Sequence, residues 1–278
     1  MESDVTLYAF PPSHCSQKVR LALAEKHVAY TNRFVDIEMR LQNFEPGYLR
    51  LNPKGVVPTL VHGERVVTDS ARIIRYIDES FEGPRLSPQD EAERKGMEEW
   101  IDLQDRLSIR VLTFGSMKGA LGFALRKISM PKRKRKLLRL RKENPDLAEI
   151  YNYKLEDLRA WRSSIASQED VARAREEMRA VLARVEARLD ESPYLAGERY
   201  SLADLAWTCI FARLKMLGLA DSFWGRSQLP RVAEYYERLR ARPSFVRAGV
   251  VEGRPPAAIR RALLKGMITG SSETRVEA

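Results

Sequence analysis

The apolar residues of this chain change their periodicity after about residue 80, and this change limits the possible folds more than any other feature. Before it, short β-prone runs alternate with amphipathic helical stretches, whereas every later stretch repeats with the helical period. Between the two parts lies Phe81–Pro88, which carries one glycine and two prolines without periodicity and is typical of a linker. We therefore predict an α/β domain at residues 1–81, a linker at 82–88, an all-helical domain at 89–250 and a C-terminal tail at 251–278.

The first domain is predicted to have the element order β-α-β-α-β-β-α. Its strands are expected at Val5–Ala9, Tyr30–Val35, Val56–Val61 and Arg65–Thr68. Pro58 falls inside the third of these strands, although a proline cannot donate a hydrogen bond to a ladder. A cis Val57–Pro58 bond at the start of that strand resolves the conflict, and it leaves the Val57 backbone able to pair with a peptide-like ligand.

The second domain is predicted to be built around one helix that is apolar on most of its faces. Ser201 precedes this helix and Asp204 follows three residues later, which is a close variant of the capping box. The same helix contains Cys209, which we interpret as a core residue. A long amphipathic stripe runs from Val171 to Leu189. We expect the end of the chain, from Gly270, to be disordered.

The net charge of +10 comes from one segment rather than from the whole chain. Eight of the eleven residues from Lys132 to Lys142 are basic and none is acidic, so without their +8 the rest of the chain carries only +2. The segment has no interleaved aromatic residues and no motif that reads bases, so we predict no nucleic-acid partner. We interpret it as a solvated helix face, with a surface for an acidic lipid or protein partner as the alternative.

The cysteine content and the hydropathy favour a protein of the cytoplasm. The two cysteines lie in different settings, so we expect no structural disulfide. The N-terminal residues do not resemble a secretory signal, and no apolar run approaches the roughly 20 residues of a membrane span. A short amphipathic stretch at Ala257–Met267 could touch an anionic surface, but we do not expect membrane binding.

A candidate reactive thiol lies where the first strand leads into the first helix. The residues there are Ser13, His14, Cys15 and Ser16. The first turn of a helix has unpaired N–H groups and the positive end of the helix dipole, and both stabilise a thiolate. This holds for the sulfur of Cys15 and for that of a bound thiol. No motif predicts a metal site.

Three segments in this order and spacing resemble the glutathione transferase superfamily: PSHCSQKVRLAL, RLNPKGVVPTLVHGERVVTDSARIIRYI and YLAGERYSLADL. The likeness extends to about residue 250. It implies an N-terminal thioredoxin-like domain, a C-terminal helical bundle, a homodimer, and glutathione as cosubstrate. It also implies that the Val57 backbone, next to the cis Pro58, pairs with the cysteinyl part of glutathione. Asp69 and Ser70 would hold the γ-glutamyl end, and Lys54 would meet the glycyl carboxylate.

Within the superfamily, the chain is most similar to the branch of the tetrachlorohydroquinone reductive dehalogenases and the ganglioside-induced differentiation-associated proteins. Ser13, Cys15 and Ser16 match the catalytic Ser-x-Cys-Ser pattern of the dehalogenases, whereas His14 departs from it. The resemblance implies that a glutathione thiolate displaces a leaving group from a hydrophobic, electrophilic aromatic molecule. Cys15 would then resolve the glutathionyl conjugate.

Two other functions remain open. One is a different glutathione-dependent reaction, either cleavage of β-aryl ethers or a zeta-like isomerisation. Cleavage of an ether would need only the glutathione thiolate, so Cys15 would be dispensable for it. The other is a non-catalytic, membrane-associated adaptor. Candidate apolar walls for an electrophile are Trp100, Phe114, Met117, Phe123 and Trp207.

Overall fold

The computed structural model describes residues 4–117, 119–225, 228–253 and 273–277. It divides into two compact units that alternate along the chain. The first unit comprises Met1–Phe34, Val57–Leu107 and Met178–Ala278, and the second comprises Val35–Val56 and Ser108–Glu177. This division does not test the predicted domain boundaries, which remain a prediction.

A sheet of five strands forms within the described part of the first unit. The strands are β1 (Val5–Ala9), β2 (Tyr30–Phe34), β3 (Thr59–His62), β4 (Arg65–Thr68) and β5 (Glu273–Val276), in the spatial order β4-β3-β1-β2-β5. The pair β1 and β2 is parallel, and the other neighbouring pairs are antiparallel. This is the mixed sheet of a thioredoxin-like domain, as predicted.

The described residues form more α-helices than apolar periodicity and capping residues predicted. In chain order they are α1 (His14–Glu25), α2 (Pro46–Leu51), α3 (Ser70–Ser80), α4 (Glu91–Arg106), α5 (Ile109–Gly115), α6 (Gly119–Ala124), α7 (Met130–Glu143), α8 (Ala148–Ala166), α9 (Gln168–Glu191), α10 (Leu202–Met216), α11 (Ala220–Phe223), α12 (Pro230–Arg240) and α13 (Pro243–Arg247). A π-helical turn at Leu125–Ser129 precedes α7, and 3₁₀ turns occupy Gln42–Phe44 and Pro145–Leu147.

Helix α10 is a buried core helix, as predicted, but it lies in the first unit, whereas it was expected to form the core of the second domain. It is buried from Leu202 to Leu214, and the capping box of Ser201 and Asp204 is present at its start. Cys209 is buried within it, and burial raises the pKa of this thiol to about 12. The helix is therefore held by packing on all sides, which is why its sequence has little amphipathic character.

The second unit has its own hydrophobic core. Side chains from α7 and α8 form most of it, together with residues of the segment before α2 and the π-helical turn. Its members include Phe44, Leu125, Leu137, Tyr151 and Trp161. The hydroxyl of Tyr151 donates to the Phe44 carbonyl at 3.0 Å, which ties the two parts of this unit together.

The register of the sheet aligns three strand ends. Tyr8 of β1 lies opposite Thr59 of β3, and Thr59 lies opposite Thr68 of β4. Because both pairs are antiparallel, the end of β1, the start of β3 and the end of β4 all lie at one end of the sheet. The segments that follow β1 and β4 and precede β3 are therefore brought together there.

Among the strands and the C-terminal tail, two predictions are wrong by more than one residue. Strand β3 begins at Thr59 rather than Val56, because Pro58 has no N–H for the ladder. The end of the chain was expected to be disordered from Gly270, yet Glu273–Val276 forms β5. There the open edge of β2 supplies backbone partners, and Arg33 pairs with Glu273 at 2.6 Å.

The predictions for the C-terminal tail and for membrane contact fall partly on residues that the structure does not describe. Residues 270–272 and the amphipathic stretch Ala257–Met267 lie outside the described residues. Among the helices that are described, none combines the length and the apolar composition that a membrane span requires.

Candidate active site

The start of α1 presents the predicted thiol. Ser13 is the N-cap, and its hydroxyl oxygen accepts a hydrogen bond from the backbone N–H of Ser16 at 3.4 Å. Cys15 is half-buried in the first turn, with a free thiol. The sulfur therefore lies near the unpaired N–H groups and the positive dipole end of α1, where negative charge is stabilised.

His14 contacts the sulfur of Cys15. Its Nε2 atom lies 3.4 Å from Sγ. Burial lowers the pKa of His14 well below its ordinary value of 6.5, and the positive charges of Arg213 and Lys18 lower it further. The imidazole is therefore neutral at neutral pH. The neutral imidazole therefore lies beside the Cys15 sulfur, and Lys18 and Arg213 supply the positive charge that acts on this imidazole.

The two buried cations near this thiol were missed by sequence reasoning. Lys18 is 1% exposed, and its ammonium donates to Gln104 Oε1 at 2.7 Å and to Asp105 Oδ1 at 2.8 Å. Arg213 of α10 donates to the carbonyl of Pro12. Charged residues on helices are ordinarily placed on the solvent face, and no local pattern marks these two as buried.

Ser16 lies in a supporting position. It is 0% exposed, and its hydroxyl oxygen accepts from the backbone N–H of Phe10 at 3.3 Å. The bond joins the segment after β1 to the first turn of α1. This placement orients the loop that carries Ser13 and Cys15, and it leaves the hydroxyl without exposure to a ligand.

The other two segments at this end of the sheet carry the predicted peptide-binding residues. The Val57–Pro58 bond is cis, as predicted, and Val57 precedes the ladder that starts at Thr59. Asp69 caps α3 with φ 75°, and its Oδ1 accepts from the N–H groups of Ala71 and Arg72 at 3.1 and 3.2 Å. A non-glycine residue in this backbone region is strained, and such strain clusters at functional sites.

The remaining predicted residues are distributed differently. Ser70 is the buried first residue of α3 and shares the end of the sheet with Asp69. Lys54 belongs to the second unit, where its side chain is exposed and its carbonyl accepts from Lys154 Nζ at 2.9 Å. The structure thus brings together every predicted site residue of the first unit, and Lys54 remains a prediction.

The candidate apolar walls fall into three kinds. Trp207 is a core residue rather than a wall, since it is fully buried and its Nε1 donates to the Trp100 carbonyl at 3.0 Å. Phe114 and Met117 pack against the core of the second unit. Phe123 is 60% exposed. Within the described ranges, no cluster of three or more His, Cys, Asp or Glu side chains is arranged to hold a metal ion.

Comparison with known proteins decides the family. Residues 12–80 match the N-terminal domain of glutathione S-transferase, and residues 126–243 match its C-terminal domain. The chain is also 35% identical over 248 residues to the tetrachloro-p-hydroquinone reductive dehalogenase of Sphingobium chlorophenolicum, covering 89% of this chain and 96% of that protein. The chain belongs to the glutathione S-transferase family.

This glutathione transferase is also similar to two proteins with other names. The human ganglioside-induced differentiation-associated protein 1-like 1 is 28% identical over 269 residues, covering 87% of this chain and 72% of that protein. The solved structure of the β-etherase LigF from Sphingobium sp. strain SYK-6 superposes with a TM-score of 0.70 at 26% identity, covering 88% of this chain and 98% of LigF. Glutathione is the cosubstrate of the family, and the enzyme is a glutathione-dependent transferase.

Proposed function

We propose that this glutathione transferase removes a leaving group reductively from an electrophilic aromatic molecule, with Cys15 as the residue that resolves the glutathionyl conjugate. The observation that carries the proposal is the half-buried Cys15 thiol in the first turn of α1, 3.4 Å from a neutral His14. A simple conjugation reaction has no need of this cysteine. The 35% identical relative is a reductive dehalogenase, which supports the same assignment.

The chemistry of the site suits glutathione as cosubstrate. The start of α1 offers N–H groups to its sulfur, and Ser70 at the start of α3 offers its N–H and hydroxyl to the γ-glutamyl carboxylate. The Asp69 carboxylate would pair with the γ-glutamyl ammonium, and the Val57 backbone would pair with the cysteinyl part. We assign the glycyl carboxylate to Lys54.

In the first step, Ser13 stabilises the thiolate. Its hydroxyl oxygen already accepts from the Ser16 N–H, so its hydrogen is available to donate to sulfur. The thiolate attacks the aromatic carbon, a carbon–sulfur bond forms, and the leaving group departs with its bonding electrons, as chloride does.

In the second step, Cys15 attacks the sulfur of the glutathionyl aromatic. A sulfur–sulfur bond forms between Cys15 and glutathione, the carbon–sulfur bond breaks, and the aromatic carbon takes up the proton that the thiol gives up. A second glutathione then exchanges with this mixed disulfide, which restores Cys15 and releases glutathione disulfide. The two glutathione molecules thus supply the electrons that reduce the substrate.

The test compares wild type with Cys15→Ser on glutathione plus a panel of chlorinated hydroquinones, β-aryl ethers and maleyl compounds, with products identified by mass. We expect wild type to release halide and reduced product, and Cys15→Ser to accumulate the thioether. Cys209→Ala is the matched control, because this buried cysteine lies in the core and its loss should leave the products unchanged. Reduced product from Cys15→Ser would contradict the proposal.

A second candidate function is cleavage of β-aryl ethers, which the structural similarity to LigF favours. This reaction needs only the activated glutathione thiolate. Ether cleavage that is equally fast in wild type and Cys15→Ser, with no halide release by either, would select it over reductive removal.

We also propose that the enzyme is a cytoplasmic homodimer, since dimers are typical of the family. Sedimentation velocity of the purified protein measures the mass directly. A species of 31.9 kDa at all concentrations would exclude the dimer.

A further inference from the structure

A groove between α7 and α8 in the second unit lies outside the residues assigned above. Its cavity has a volume of about 660 Å³, which is within the range of ligand-binding clefts. Its floor is apolar and its rim is mostly basic. The lining residues are Met130, Pro131, Lys134, Leu138, Arg141, Asn152, Leu155, Glu156, Leu158, Arg159 and Arg162.

The basic residues of α7 divide between two faces. On one face, Lys132 donates to the Met39 carbonyl, Arg133 pairs with Glu38, and Lys136 pairs with Glu45. These contacts join α7 to the segment before α2. The prediction of a solvated helix face is therefore wrong for Arg133 and Lys136, whose side chains are largely buried, whereas Lys132 is exposed as predicted.

The cations that line the groove do not join α7 to the segment before α2. In the part of the chain that the structure describes, Lys134, Arg141, Arg159 and Arg162 have no carboxylate within ion-pair distance. Arg141 donates only to the amide oxygen of Asn152, at 2.8 Å. One acidic residue, Glu156, stands against these four cations in the lining. The rim therefore carries an excess of positive charge beside apolar surface.

We propose that this groove binds an acidic amphipathic helix of a partner protein. The lining of α7 runs from Met130 to Arg141, a length of about 16 Å or three helical turns. The lining residues of both helices recur at spacings of three and four, and the grooves between such ridges accept a third helix. An apolar ridge would fill the floor formed by Leu138 and Leu155, and acidic residues on both flanks would meet the rim.

The shape of the site favours a helix over a membrane. A lipid headgroup surface is flat on this scale and would contact the rim without filling the concave floor, whereas a helix is convex and fills it. The floor is lined by aliphatic side chains and has no aromatic residue on which a base could stack. The positive charge of the rim would suit an acidic helix, an anionic membrane or a nucleic acid equally well. The concave apolar floor is the feature that favours the helix.

The test uses a fluorescein-labelled peptide of about 16 residues with leucines at helical spacing and glutamates on both flanks. The control peptide has the same composition with the leucines dispersed over all faces. Fluorescence anisotropy measures the binding of each peptide to the full chain. Vesicles of phosphatidylcholine with and without phosphatidylglycerol test the membrane alternative by co-sedimentation.

Matched variants separate the groove from the general positive charge of α7. Lys134→Glu/Arg141→Glu reverses two groove cations. Arg135→Glu/Lys142→Glu makes the same change in net charge on the same helix, at exposed residues outside the lining. Leu155→Gln changes the floor without changing the charge. Circular dichroism confirms that each variant retains its helix content.

We expect the amphipathic peptide to bind wild type at least about tenfold more tightly than the dispersed peptide does. The groove pair and Leu155→Gln should each weaken binding by about tenfold or more, whereas the control pair should weaken it less than about threefold. Equal losses in the two charge pairs would overturn the proposal, as would equal binding of the two peptides. Binding to anionic vesicles without binding of the amphipathic peptide would also overturn it.

Discussion

Replacing Asp204 with alanine tests the central contact of the first unit. The Asp204 carboxylate is fully buried at the start of α10. It accepts hydrogen bonds from the backbone N–H groups of Leu195 and Ser201 at 2.9 and 2.7 Å, and from the hydroxyls of Ser201 and Tyr235. One side chain therefore satisfies donors from three segments of the chain.

The magnitude follows from the donors that the substitution leaves unsatisfied. A buried donor without a partner costs about 1–3 kcal/mol. The N–H groups of Leu195 and Ser201 and the hydroxyls of Ser201 and Tyr235 all lose their acceptor, so the upper limit is about 12 kcal/mol. Relaxation and water entering the vacated space reduce it, and we expect a loss of about 3–5 kcal/mol in the free energy of unfolding.

Urea unfolding followed by circular dichroism measures this loss, provided that the slope with urea is unchanged. The matched control is Asp90→Ala. Asp90 also caps a helix, accepting from the N–H of Glu93 at 2.9 Å, but its site is exposed. We expect the control to cost about 1 kcal/mol. A loss for Asp204→Ala no greater than that of Asp90→Ala would show that the buried hydrogen bonds of Asp204 do not carry this stability.

Three further predictions concern pH and the sheet edge. Burial alone would raise the pKa of Glu25, but hydrogen bonds from Arg242 and Ser244 lower it below its ordinary value of 4.5. The stability that ionised Glu25 contributes is therefore present above pH 4.5 and is lost as pH falls through the lowered pKa. At neutral pH, Glu25→Gln should unfold at a lower urea concentration than wild type. Below pH 4.5, its free energy of unfolding should fall less steeply with pH than that of wild type. Because His14 stays neutral, the NMR chemical shifts of its imidazole should show no titration step near the ordinary histidine pKa of 6.5, and a step there would contradict the assigned charge state. Truncation before Glu273 should speed amide exchange in β2 while β1 and β3 stay protected, because only the β2 edge loses its partner; unchanged exchange in β2 would contradict the pairing.

Much of the first unit followed from local sequence. Pro58 inside a β-prone run was enough to predict the cis bond, because a proline cannot take part in a ladder. The spacing of Ser201 and Asp204 gave the start of α10, since a capping box depends on residues three positions apart. Cys209 was placed in the core from the apolar residues around it.

The features that could not be predicted depend on residues far apart in the chain. Lys18 donates hydrogen bonds to Gln104 and Asp105, and Arg213 donates one to the Pro12 carbonyl. These partners are distant in sequence, so no neighbouring residue indicates that either cation is buried. Strand β5 has a polar sequence that is stable as a strand only because the edge of β2 is open to it. The charge around the candidate thiol was therefore visible only in the structure.

The most direct test of the account is a single turnover in which Cys15 meets the preformed glutathionyl aromatic without free glutathione. The purified enzyme is mixed with an excess of this conjugate, and both the released arene and the modified peptide are quantified by mass spectrometry. We expect a burst of one reduced arene per chain, followed by arrest, with a glutathionyl disulfide on the peptide that contains Cys15. Release of the arene without that disulfide would contradict a resolving role for Cys15. The same role would be contradicted if the enzyme released no arene from the conjugate, although it consumes the halogenated substrate when glutathione is present.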